Sequence, residues 1–219
     1  MSSHFNQTME DLRRRLLTMA NIAADAVRTA AQALITGNTE LAQRVFVYES
    51  QTDEDEVVLE RLAISICALH QPVASDLRQV FTAVKVNMDL ERMGDSAANI
   101  AETVQHLSSV TLPVELRQLA EASVKQVQDT LQCLAQNDAQ RAMAICQSDD
   151  LIDALYTHLL QAGQSGQLGA EYTIAAQIAI IMAAKNFERI GDHCCNVAEN
   201  VLYATKGDIM RHHHEPHPH

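Results

Sequence analysis

The 219-residue sequence has no tryptophan, only 7 glycines and 4 prolines, and an aromatic fraction of 4%. Strands draw on β-branched and aromatic residues, and sheets need frequent Gly- and Pro-bearing turns, so this scarcity argues against a sheet. The abundance of Ala, Leu, Gln and Glu argues instead for long helices, and the chain is read as all-α. Also absent is an apolar run of the roughly 20 residues that cross a bilayer. The most apolar stretch, Ile174 to Ala184, is interrupted by Gln177 and reads as a core helix. Met1 to Glu10 lacks the apolar core of a signal peptide and leads straight into an amphipathic pattern, so export is not expected. Basic residues are few: 16 Lys and Arg against 28 Asp and Glu leave a formal charge of -12. A nucleic-acid backbone is held by clustered Lys and Arg, so no nucleic-acid partner is expected. The five cysteines (Cys67, Cys133, Cys146, Cys194 and Cys195) are odd in number, lack Cys-x-x-Cys spacing and stand mostly among apolar neighbours. That usage suits a reducing, cytoplasmic setting.

What is present is a repeat. Breaks at Gly37-Asn38, Gln71-Pro72 and Ser108 to Pro113 mark off three long periodic segments. A break at Asn137-Asp138 and a Gly-rich turn at Gly163 to Gly169 mark off three more. Leu16, Met19, Ala23, Val27, Ala31 and Leu34 recur at helical steps, and Leu116, Leu119, Ser123, Val127, Leu131 and Leu134 follow in register one hundred residues on. The last segments of the two halves, 89–104 and 186–201, match at eight of sixteen positions. The expected fold is a six-helix antiparallel bundle made of two tandem three-helix repeats, residues 1–107 and 108–211, with a His-rich tail at 212–219 read as disordered.

Each repeat carries acidic pairs spaced four apart, which places both acids of a pair on one helical face. On the third segment Glu91, Asp95, Asn99 and Glu102 fall within about 80° of one another at roughly 100° per residue. Glu188, Asp192, Asn196 and Glu199 repeat that stripe on the sixth. The second and fifth segments add Glu49 with Asp53 and Asp149 with Asp153. If the helices of a repeat face each other, four carboxylates converge, and such groups repel unless protons or cations neutralise them. An all-oxygen set suits a hard multivalent ion such as Mg²⁺, Mn²⁺ or iron, with zinc a further candidate, and His193 is the nearby nitrogen. Taken singly, an acidic pair in so acidic a chain is usually a solvated face; the fourfold placement sets these apart.

Arg92 and Arg189 point about 100° round their helices from the preceding glutamates and are expected to pair with acids on neighbouring helices, while Lys185 can neutralise Glu188 locally. Gly94 and Gly191 each cost a helix about 1 kcal/mol against Ala, so close helix packing is their expected role. Pro72 suits a first helical turn, with Ser75 or Asp76 as candidate caps. His70, His106 and His158 stand singly and read as packed or surface residues. The tail Arg211 to His219 can bind transition metals.

The segments Gln71-Pro72-Val73-Ala74-Ser75-Asp76-Leu77-Arg78, Leu90-Glu91-Arg92-Met93-Gly94-Asp95 and Phe187-Glu188-Arg189-Ile190-Gly191-Asp192 resemble the PhoU family of regulators of bacterial phosphate uptake. The resemblance spans nearly the whole chain and implies two three-helix repeats. It also implies metal clusters on E(D)-x-x-x-D motifs, here Glu49/Asp53, Glu91/Asp95, Asp149/Asp153 and Glu188/Asp192. Glu49 stands where the family commonly has Asp, and the His-rich tail is not part of its usual pattern. The resemblance further implies a cytoplasmic homodimer that represses the phosphate-starvation response. Its partners would be the ATPase subunit of the phosphate ABC transporter and a sensor histidine kinase, with the membrane reached only through the transporter.

Such a protein is an adaptor and not an enzyme, in keeping with the lack of a nucleophile with a base partner or a phosphate-cradling Gly loop. Two other readings stand beside it. One is a ferritin-like carboxylate oxidase, disfavoured because Glu-x-x-His occurs nowhere in the sequence. The other is a helical interaction or metal-binding module with no phosphate role.

Overall fold

The computed structural model describes residues 3–169 and 171–206, so the tail expected at 212–219 lies outside the described residues. Six helices account for nearly all of them: α1 Ser3–Thr36, α2 Thr39–His70, α3 Ala74–Leu107, α4 Val114–Gln136, α5 Ala139–Gln164 and α6 Ile174–Lys206. No strand occurs among the described residues. Short links turn each helix back on the one before, and the two halves repeat that arrangement.

The local sequence explains where the helices stop. Asn38 and Asp138 occupy equivalent N-caps, and each side-chain oxygen accepts two backbone N–H groups, from Glu40 and Leu41 and from Gln140 and Arg141. Those bonds satisfy donors that a helix start leaves open. Before each cap the chain takes a left-handed residue, Gly37 at φ 64° and Asn137 at φ 51°. A side chain at Gly37 would in addition lie 2.8 Å from the Ser108 carbonyl oxygen. The start of α3 differs from expectation. Its N-cap is Val73, with no side-chain cap bond from Ser75 or Asp76, and Pro72 lies before the helix. The Asp76 amide instead closes a turn on the Val73 carbonyl.

The apolar stripe read from the sequence is the core face of α1: Met19, Ala23 and Val27 are fully buried and Leu16, Ala31 and Leu34 nearly so. Leu116, Leu119, Ser123 and Val127 do the same on α4, where the buried Ser123 hydroxyl donates to the Leu119 carbonyl. Helices α1, α3, α4 and α6 form the centre, with α3 on α6 and α1 on α4 joining the halves. The outer helices α2 and α5 each pack only within their own repeat, on α1 and α3 and on α4 and α6. The acidic pairs therefore face one another along two outer seams, α2 with α3 and α5 with α6.

Ile174 to Ala184 is a core helix on one side only. Ala176, Ala179, Ile180, Ala183 and Ala184 are buried, whereas Ile174, Ile178 and Met182 are 77%, 55% and 47% exposed. On α3, Leu77 and Phe81 occupy the positions matching Ile174 and Ile178 and are also exposed. Each repeat thus shows solvent an apolar strip at the start of its third helix. No described helix is long and apolar enough to cross a membrane.

Phe187, fully buried where α6 meets the core, tests this packing. Truncation to Ala is expected to cost about 3–5 kcal/mol in urea unfolding, as for other large core side chains. A loss below about 1 kcal/mol would contradict the placement.

Candidate metal centre

The two seams are close because glycine sits in them. A methyl group at Gly94 would lie 2.5 Å from Thr52 Oγ1, and one at Gly191 would lie 2.5 Å from Asp149 Oδ1. Missing side chains at these two points let α3 settle onto α2 and α6 onto α5, which accounts for glycine inside long helices despite its cost. Thr52 is fully buried and returns its hydroxyl to the Glu49 carbonyl at 2.7 Å, so it occupies the gap without adding charge.

At the first seam Glu49 and Asp53 from α2 meet Asp95 from α3, with one carboxylate oxygen from each lying within 4.8 Å of the others. Among the described residues this is the one group of three acidic, Cys or His side chains that converge so closely. Glu91, the fourth acid expected here, is not in that group; its carboxylate pairs with Arg92 at 3.2 Å. Arg92 also reaches Asp95 at 3.2 Å, so it serves its own helix and not a neighbouring one as expected. The geometry raises the proton affinity of the cluster. Loss of hydration first and the charges of Asp53 and Asp95 second push the Glu49 carboxyl up. The same causes, with Asp95 as the charge, raise Asp53. Glu91 is raised by burial and then by Asp95, against the opposing pull of Arg92.

The second seam has the same backbone plan with different neighbours. Asp149 Oδ1 accepts a hydrogen bond from Gln126 Nε2 at 3.0 Å, and both oxygens of Glu188 are held by Lys185 Nζ, at 2.7 and 2.6 Å. Lys185 thus neutralises locally, as its spacing predicted. Asp153 is raised by partial loss of hydration and by Asp149 and Glu188. Asp192 is pushed up to about 6 by loss of hydration, then by Glu188, Asp149 and Asp153, with Lys185 opposing. No three acids of this seam converge within 4.8 Å; Asp149 is bound by Gln126 and Glu188 by Lys185. His193, considered as a nitrogen ligand, turns the other way: its Nδ1 lies 3.0 Å from Asp89 Oδ1 on α3. Asn196 donates to the same oxygen at 3.1 Å, so these two residues of α6 join the repeats.

Gln126 belongs to neither acidic pair, yet it bears directly on the second seam. It is 3% exposed, its Oε1 has no hydrogen-bond partner, and that atom would lie 3.2 Å from a methyl group on Gly191. The signal for it in the sequence is its position one hundred residues after Ala26, where a buried amide replaces a methyl group. Two features fit a hard cation at these seams: carboxylate oxygens close enough at the first to share one ion, and acids at both that hold protons more tightly than usual in its absence.

The raised groups fix the sign of a pH effect. A carboxyl whose folded pKa lies above its unfolded value binds more protons in the native state between the two, so stability falls as pH rises through that window. For Asp192 the window runs from the ordinary 3.8 to about 6. Metal-free protein is expected to melt at lower temperature at pH 7 than at pH 5, and Asp192→Asn is expected to raise the melting temperature at pH 7 and flatten the trend. A melting temperature that rises from pH 5 to 7, or that falls in Asp192→Asn, would contradict the crowding described here.

Comparison with known proteins places this arrangement. The PhoU domain model matches residues 16–104 and again 116–201. The chain is 34% identical over 216 residues to the phosphate-specific transport system accessory protein PhoU homolog of Pseudomonas aeruginosa, covering 97% of this chain and 89% of that one. It is 30% identical to the Escherichia coli phosphate-specific transport system accessory protein PhoU, again over 97% and 89%. The crystal structure of PhoU from Pseudomonas aeruginosa superposes with a TM-score of 0.88 over 93% of this chain and all of that one, at 34% identity. The PhoU structure from Streptococcus pneumoniae gives 0.84 at 25% identity, over 94% of this chain and 98% of that one. With both copies of the domain matched and relatives alike over nearly their full length, the chain belongs to the PhoU family.

Proposed function

We propose that this protein is a non-enzymatic regulator of phosphate transport that represses the phosphate-starvation response, working through metal-loaded acidic seams on a helical scaffold. The observation that carries the phosphate role is the near-full-length likeness to phosphate transport accessory proteins. The seams carry the metal part of the reading. Glu49, Asp53 and Asp95 would hold an ion at the first seam with Glu91 alongside; Asp149, Asp153, Glu188 and Asp192 would hold one at the second. A cation there would supply positive charge on an otherwise acidic face, which is what an anion such as phosphate, or an acidic partner, requires. Arg92 at the first seam and Lys185 at the second each meet part of that need.

The adaptor reading assigns the protein to the cytoplasm as a homodimer that meets the transporter's ATPase subunit and a sensor histidine kinase. The apolar strips at Leu77 and Phe81 on α3 and at Ile174 and Ile178 on α6 are surface of the kind that partners cover. A ferritin-like carboxylate-bridged oxidase also uses Glu-x-x-His, which the sequence lacks.

In a host lacking the gene, alkaline phosphatase is expected to rise in phosphate-rich medium. The full chain is expected to restore repression, whereas a chain with Asp53→Ala, Asp95→Ala, Asp149→Ala and Asp192→Ala, made to the same level, is not. Unchanged phosphatase in the deletion strain would refute the regulatory role, and full repression by the substituted chain would refute the part given to the seams.

A further inference from the structure

Two of the five cysteines face each other. Cys146 on α5 and Cys195 on α6 stand on the facing sides of two packed helices, three residues before Asp149 and four after Gly191. The packing of the two antiparallel helices puts them there. Ile181 packs on Gly163, Gly191 packs on Asp149 and Ile152, and one helical turn further along the pair Cys195 comes opposite Cys146. Gly191, four residues before Cys195, draws the backbones together at this end, and a disulfide needs such proximity, with Cα atoms about 4.4–6.8 Å apart. Both thiols are only partly buried, whereas Cys133 and Cys194 are fully enclosed and Cys67 is exposed. The first repeat fills the matching positions with Phe46 and Ala98, so the pair is a property of the second repeat alone.

We propose that Cys146 and Cys195 are a reversible dithiol–disulfide couple that responds to peroxide-class oxidants and clamps α5 to α6 beside the second acidic seam. One cysteine sulfur attacks a peroxide oxygen; the O–O bond breaks, water leaves, and a sulfenic acid forms. The other sulfur displaces that oxygen, which departs with a proton as a second water, and the S–S bond closes. Two thiols lose two electrons and two hydrogens, and one hydrogen peroxide is reduced to two waters. Closure ties α5 to α6 through residues 146 and 195. A small-molecule dithiol reverses it by exchange.

The test uses reduced, metal-free, full-length protein, so its outcome does not depend on whether the seams bind metal. After hydrogen peroxide and alkylation of the remaining thiols, non-reducing peptide mass spectrometry is expected to find Cys146 joined to Cys195 within one chain, two hydrogens lighter than the separate peptides. Dithiothreitol is expected to restore both thiols, and Cys146→Ser or Cys195→Ser to abolish the link. The melting temperature is expected to rise on oxidation of the wild-type chain and to stay unchanged in either variant, because the link restricts the unfolded chain. The proposal is overturned if both cysteines are recovered alkylated after Cys67 has been oxidised, if they pass singly to sulfinic acid, or if the linked chain melts at lower temperature.

Discussion

The contact on which the rest of the structure depends is the close passage of one helix over another at a residue with no side chain. At Gly94 and Gly191 the third helix of each repeat comes near enough that a methyl group would collide with Thr52 Oγ1 or Asp149 Oδ1. The acidic residues flank these crossings, so packing that favours the fold also presses like charges together. Hydrophobic burial across the core supplies the stabilisation that tolerates this repulsion, and the local consequence is acids with raised proton affinity at Glu49, Asp53, Glu91, Asp153 and Asp192. A site held under such strain by its scaffold is suited to binding positive charge.

Duplication kept the backbone and let the chemistry diverge. Where α6 has Lys185, α3 has Met88; where α4 has Gln126, α1 has Ala26; where α5 and α6 have Cys146 and Cys195, α2 and α3 have Phe46 and Ala98. The first seam is therefore a converging cluster of carboxylates with Arg92 at its edge, and the second is partly neutralised by Lys185 and buttressed by an amide. Asp89 ties the halves by accepting from Asn196 and facing His193, while its counterpart Asn186 bonds back to the Met182 carbonyl. Two seams drawn from one plan thus have different electrostatics, and on the proposed metal reading they would hold their ions unequally.

Much of the fold was legible in the sequence because helix breaks and apolar periodicity are local properties. Gly37-Asn38 and Asn137-Asp138 mark turns through a left-handed residue and a capping side chain, and both features follow from residue type. The acidic pairs were legible for the same reason, since a spacing of four fixes a shared face. What periodicity does not encode is where a side chain turns once the helix is packed. Arg92 folds back to Glu91 and Asp95, His193 turns to the other repeat, and Glu91 stands outside the cluster its spacing predicted. Exposure of Ile178 and Met182 escaped a reading by hydrophobicity because an apolar residue on the outer face of a helix looks the same in sequence as one on the inner.

On the proposed reading, the two seams are cation sites held apart from neutrality by the fold. Equilibrium dialysis against Mn²⁺ at pH 7.5, on a chain ending at Lys206 so that the histidine tail does not contribute, tests it most directly. Saturable binding is expected, released as pH falls below the raised carboxyl of Asp192, about 6, and lost when Asp53, Asp95, Asp149 and Asp192 are changed to Asn. No bound metal above the buffer level, or equal binding by the substituted chain, would contradict it.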